Sequence, residues 1–147
     1  MAKRSTPSKY RRELEVIFGR PLLSRDGVPE TGLLKAERRL DLVLPTAVRD
    51  YYVLAGAAKE NREHNILYGP DQLVITDGFL IVMEENQAVV HWGLRVPFSE
   101  KADPEVWQRV NGDKPEWYPE KTPFSVFIVK NLAWQRGIEM PTSQIGP

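Results

Sequence analysis

The run Phe79-Leu80-Ile81-Val82-Met83, the polar tetrad Glu84-Glu85-Asn86-Gln87 and the second apolar run from Ala88 to Val96 constrain this chain more than any other segment. Apolar stretches with β-branched and aromatic residues on both sides of a short polar turn predict a β-hairpin. A strand with one wet face alternates apolar and polar residues. These runs are nearly continuous, so both faces of the hairpin are expected to be at least partly covered, one of them by helices.

Helical periodicity elsewhere supplies that cover. Tyr10, Leu14, Ile17 and Phe18 recur on one face of a helix over about residues 8–18, with Lys9, Arg11, Arg12, Glu13 and Glu15 largely on the other and Gly19 and Pro21 as the stop. After a turn-rich linker containing Asp26-Gly27 and Pro29, Thr31 reads as the cap of a second helix whose stripe is Leu33, Leu34, Glu37 and Leu40. Pro45 suits the first position of a third helix, with Val48, Tyr51, Tyr52 and Ala55 inward. The polar stretch 57–65, AAKENREHN, reads as a frayed helix end or exposed loop. A further strand is expected at 106–110. Thr122 and Pro123 then open a last helix carrying Phe124, Phe127, Ile128, Leu132 and Gln135 on one face and ending at Gly137.

At 147 residues, with 41% hydrophobic and 27% charged content, this is one domain's worth of chain. Folding at that size buries roughly 68–70% of the unfolded surface, so no staple is needed. The absence of cysteine removes thiol nucleophiles, disulfides and thiolate metal sites. No apolar stretch approaches the roughly 18 residues of a membrane span, and no apolar signal core follows the basic start, so no membrane contact and a cytoplasmic location are expected. The net charge of zero hides an asymmetry. Residues 1–25 hold seven Lys/Arg against two Glu, net +5, and residues 26–147 hold thirteen against eighteen Asp/Glu, net −5. An acidic body disfavours specific nucleic-acid binding. The reading is therefore a basic flexible arm at 1–9, one domain over 10–140 and an irregular tail at 141–147, with oligomeric state left open.

Catalytic and cofactor motifs are sparse. The two histidines, His64 and His91, lack the spacing of metal ligands, although Glu60 and Glu63 lie near His64 in sequence. Ser24, Ser99, Ser125 and Ser143 sit in no Gly-x-Ser-x-Gly elbow, and a triple of serine, His91 and Asp103 is one arbitrary combination among many. Glu84 with Glu85 and Asp103 with Glu105 are carboxylate pairs and a weak signal for acid and base chemistry; Glu84 and Glu85, adjacent on a strand, project to opposite faces, which fits a wet hairpin tip better. No phosphate-binding glycine loop occurs. No cofactor and no metal are expected. Of four tryptophans, Trp92 and Trp107 are expected between sheet and helices. Trp117, in the Pro-rich stretch GDKPEWYPEKTP beside Tyr118, reads either as a protein-binding hot spot or as a plug over the sheet edge, and Trp134 falls in the last helix.

The order of landmarks resembles the SUKH superfamily. In LLKAERRLDLVLPTAVRDYYVLA, residues 33–55, Glu37, Leu44, Pro45 and Tyr52 match a helix with a central Glu, a short link into Leu-Pro and an aromatic-rich second helix. The likeness continues through FLIVMEENQAVVHWGL with Trp92-Gly93, then Asp103-Pro104-Glu105-Val106-Trp107, then Trp117 ahead of the helix holding Phe127, and covers about residues 30–137. One departure is Ala55-Gly56-Ala57, where the family often has Asn-Gly-Gly. The resemblance implies an α+β fold, a mainly antiparallel sheet with helices packed on one side, in which three tryptophan-bearing strands lie under a shared helical layer. It also implies a non-enzymatic protein-binding role. Bacterial members resemble immunity proteins that block a cognate toxin, often a nuclease, and fungal relatives regulate cell-wall assembly through protein contacts. The expected partner is thus a protein, toxin or regulatory, gripped by Glu84, Glu85, Asp103, Glu105, Glu116, Trp117 and Glu120. An intracellular scaffold is the alternative role, and a hydrolase built on His91 and a carboxylate the third.

Overall fold

A computed structural model describes residues 5–98 and 102–139 of the chain. The first helix, α1, runs Ser5–Phe18 and so takes in residues assigned above to the arm. Pro7 lies in its first turn, where a missing backbone N–H leaves no bond unmade. Tyr10, Leu14, Ile17 and Phe18 are all buried, and Gly19, at φ 69°, closes the helix by donating to Glu15 O. Residues 1–4 of the expected arm, the expected tail 141–147, Ser99 and Ser143 lie outside the described residues.

Helix α2 spans Glu30–Leu40 and begins after Pro29, so Thr31 lies inside it and caps nothing. Its buried residues are Leu33 and Ala36, while Leu34 is turned outward. The error is one of phase. Leu33 and Leu34 are adjacent and stand about 100° apart on a helix, so one of them has to leave the core. Helix α3, Thr46–Ala55, follows Pro45 in the cap position and buries Ala47, Val48, Tyr51, Tyr52 and Ala55, as its spacing predicts. Glu37 of α2 ties the two together: its carboxylate accepts from Leu44 N at 2.7 Å and pairs with Arg49.

The stretch 57–65 is an ordered corner, not an exposed loop. A 3-10 turn at Lys59–Arg62 places Glu60 and Asn61 in the interior, and Asn65 is buried after it. Polarity misleads here because most of these groups find partners, although Asn65 Oδ1 has none among the described residues. Asn61 accepts from the Tyr51 hydroxyl and donates to Ala55 O at 2.7 Å, and Asn65 Nδ2 donates to Asn131 Oδ1 at 3.0 Å.

Six strands form one antiparallel sheet: β1 (Ile66–Leu67), β2 (Val74–Thr76), β3 (Phe79–Glu84), β4 (Val90–Arg95), β5 (Glu105–Val110) and β6 (Glu116–Pro123). Their order is β1-β3-β4-β5-β6, with β2 also paired to β3. The hairpin expected at 79–96 is β3 and β4. A bulge falls between Ile81 and Met83, so Val82 and Met83 both join the main core although they are consecutive. The last helix, α4, is Phe124–Gln135 and buries Phe124, Ile128, Val129, Leu132 and Ala133. The helices lie on one side of this sheet, an α+β arrangement. Between them and the sheet sits one core joining Tyr10 and Leu14, Tyr51 and Tyr52, Leu80, Leu94, Val106 and Phe124, with Tyr51 edge-on to Tyr10 and to Phe124 at 5.5 and 6.2 Å.

Candidate functional site

Among the described residues no helix lies on the sheet's second face, and its side chains follow from strand alternation and register. Leu80, Leu94 and Val106 point into the core, so their neighbours Phe79, Ile81, Gly93, Arg95 and Trp107 point away from it. Two rows cross this outer face: Ile81, Gly93, Trp107 and Pro119, and beside it Glu84, His91, Arg109 and Trp117. Cross-strand partners have Cβ atoms about 4.5–5.5 Å apart, so side chains along a row are neighbours, with a gap at Gly93.

The floor is aromatic. Trp117 on β6 reaches across to β3 and stacks on Phe79, with ring centroids 3.8 Å apart and an interplanar angle of 13°. Gly93 makes this possible, because a Cβ there would stand 3.4 Å from Trp117 Cη2 and 2.9 Å from Leu80 O. Trp107 meets Phe79 edge-on at 5.7 Å. The Arg95 guanidinium lies over both rings, 6.0 Å from Phe79 and 5.7 Å from Trp107, within cation–π reach. Phe79 is buried beneath this cluster, whereas Trp107 and Trp117 are half-buried and Arg95 is exposed. Of Trp92 and Trp107, both expected between sheet and helices, only Trp92 is there, at 5.9 Å from Phe127. Trp107 and Trp117 occupy the opposite face because the β5 and β6 register puts them in line with Gly93 and Arg109.

Polar groups ring the floor. His91 Nδ1 lies 2.9 Å from Asn111 Nδ2, within hydrogen-bond distance. Glu84 Oε1 accepts from the Tyr68 hydroxyl at 2.7 Å; burial, with that carboxylate's bond adding to it, pushes the Tyr68 phenol up to about 12. Two buried donors, Arg109 Nε and Trp117 Nε1, have no acceptor among the described residues.

The seven residues singled out from the sequence do not form one surface. Glu84, Glu105 and Trp117 belong to the outer face. Glu85 sits at the β3–β4 turn, where it accepts from Val89 N at 3.2 Å, and Glu116 is exposed at the start of β6, accepting from the Tyr118 hydroxyl. Asp103 and Glu120 are committed internally. Asp103 accepts from Ser125 N at 3.0 Å and Ser125 Oγ at 2.6 Å, which caps α4 in place of Thr122. Glu120 accepts from Trp92 Nε1 at 3.0 Å and Gln108 Nε2 at 3.3 Å on the helix side. Sequence reasoning missed Phe79, Gly93, Arg95 and Arg109. Their signal was the odd-numbered alternation within the strands, but it becomes a surface only once the register is known.

Among the described residues the catalytic groupings weighed from the sequence are not gathered. Asp103 and Ser125 bond each other at the start of α4, while His91 faces Asn111 on the far side of the sheet. Among the described residues no three of His, Asp and Glu stand close enough to hold a metal ion, and no helix is long and apolar enough to cross a membrane. A groove of about 590 Å³ beside α2 includes Val28, Lys35, Ala36, Arg39 and Pro70, but the Arg39 guanidinium is engaged by Leu73 O and Pro70 O at 3.0 and 2.9 Å. No family model, curated protein or solved structure matches this chain.

Proposed function

We propose that this chain is a non-enzymatic protein-binding domain, acting in the cytoplasm, that neutralises a cognate toxin by covering it with the helix-free face of the sheet. The supporting observation is the half-exposed Trp107 and Trp117 pair over a buried Phe79, framed by Arg95 and Arg109. Tryptophan and arginine at the centre of a partly dry surface are the residue types that carry most binding energy in protein interfaces. The SUKH resemblance supports the neutralising role, since its bacterial members act by occlusion and occlusion needs no catalytic group. A scaffold that binds without inhibiting would use the same face.

Co-expression with the toxic products of neighbouring genes tests the reading. The native chain restores growth, and Trp107→Asp abolishes the rescue while far-UV circular dichroism stays native. Rescue by the Trp107→Asp chain, or no toxic neighbour that the native chain neutralises, overturns it.

A further inference from the structure

The candidate face does not share the acidic excess that composition led us to expect: its two guanidiniums equal its two carboxylates in number. The body of the chain is acidic, yet the outer row carries Arg95, Arg109 and His91, and two acidic side chains face them. Glu84 is already bonded to Tyr68, and Glu105 opens β5 one register step beyond the Leu94–Val106 pair. The ion pairs among the described residues use Arg11, Arg20, Arg49 and Arg136, and no carboxylate of the described residues lies within ion-pair distance of Arg95 or Arg109. Arg95 lies over ring faces, and the Arg109 row ends on an indole N–H with no acceptor among the described residues. The patch therefore offers guanidinium and indole donors that are not paired with its own carboxylates, on an apolar floor.

We infer that this face takes an acidic segment of a partner protein, its carboxylates paired with Arg95 and Arg109 and its apolar side chains resting on Trp107 and Trp117. The inference rests on the docking role proposed for this face and adds the chemistry of what docks. Guanidinium matches carboxylate in geometry as well as charge, and near an aromatic floor such a pair is screened less than in open water. Nucleic acid fits less well. Two guanidiniums neutralise few phosphates, the body's net −5 repels the rest of a backbone, and the rings are stacked on one another or covered by Arg95, which leaves little flat area for bases.

The test uses the full chain labelled with nitrogen-15, whose four tryptophans give four indole N–H signals. It is titrated with a ten-residue peptide alternating Asp and Phe, with the same peptide carrying Lys for Asp, and with a ten-nucleotide oligothymidylate. The expected result is saturable shifts of the Trp107 and Trp117 signals with the Asp peptide alone, with Trp92 and Trp134 unmoved. Arg95→Gln and Arg109→Gln each weaken that binding about tenfold, the loss expected for one charge-assisted pair. Arg95 is exposed, so its variant keeps the test open should Arg109→Gln fold poorly. Equal shifts with both peptides overturn the acidic preference while leaving the docking face standing. Preference for the oligonucleotide, or affinity unchanged in both variants, also overturns it. If no probe moves Trp107 or Trp117, the inference and the docking face fall together.

Discussion

Arg20 holds two carboxylates at once. Its guanidinium donates to both oxygens of Asp26 at 2.9 Å and to both of Glu60 at 2.9 and 3.0 Å, with the two acidic side chains only 6% and 2% exposed. Arg20→Ala leaves two buried charges unpaired and is expected to cost about 3–5 kcal/mol in urea unfolding at pH 7. The pH dependence has a definite sign. Hydrogen bonds from Arg20 hold Asp26 below the usual carboxylate range. Burial would push Glu60 up, but the same guanidinium outweighs it and holds Glu60 down too. A depressed carboxylate stabilises the fold above its unfolded value, near 4, and that contribution disappears as pH falls through the folded value. Arg20→Ala should therefore lose less stability than the native chain on acidification below about pH 4. Glu13 has the reverse sign, because burial raises it against the pull of Lys9 and Arg12. Glu13→Gln is expected to stabilise the protein at pH 7, with the gain vanishing once pH drops below about 4, where Glu13 is protonated in both states. Neither role was visible in the sequence. Arg20, Asp26 and Glu60 occupy a linker, a turn and a stretch that reads as exposed, and only tertiary structure brings them together.

Helix α4 shows how an element can be read correctly and its anchor missed. Its apolar spacing is strong, and Phe124, Ile128 and Leu132 are buried as expected. Its cap is long-range: Asp103, twenty-two positions before Ser125, takes the N–H that Thr122 was expected to serve, while Thr122 donates to Glu120 O. Asp103→Ala should cost about 1 kcal/mol, up to about 2, whereas Thr122→Ala should cost under about 0.5; thermal unfolding of the two variants separates them. The hairpin was legible from its apolar runs, but the bulge that gives Val82 and Met83 the same side was not. Strands β1 and β2, two and three residues long, are too short to show a period. The outer-face packing depends on one atom's absence. Gly93→Ala places a Cβ 2.9 Å from a backbone oxygen and against the Trp117 ring, so it is expected to cost about 1–3 kcal/mol and to weaken the near-ultraviolet circular dichroism of the stacked Trp117–Phe79 pair.

At the scale of the whole molecule, the fold class was legible because helix and strand periods are local, and a layer of helices on a sheet is a small step from them. The docking face was not, because its identity depends on which of two alternating sets of side chains the helices cover, and a register slip of one residue would exchange them. That choice is enforced from far away in sequence, by α1. It packs on α3 and α4, Tyr10 donates to Ala47 O at 2.9 Å, and Arg136 Nε from just beyond α4 donates to Ile17 O at 3.0 Å. Tyr10, Leu14, Ile17 and Phe18 enter the same core as Val48, Tyr51, Ile128 and Leu132. Removing α1 would bare those partners, each worth about 1.5–3 kcal/mol when buried, against a total stability of about 5–15 kcal/mol for a domain. A chain beginning at Gly19 is therefore expected to lose its cooperative heat-absorption peak in calorimetry, whereas Tyr10→Phe, which gives up only the hydroxyl's bond, should keep the peak and lower stability by about 1 kcal/mol. A sharp native-like transition in the shortened chain would mean that α3, α4 and the sheet already fix their own faces, and that α1 is an addition to the fold and not its closing element.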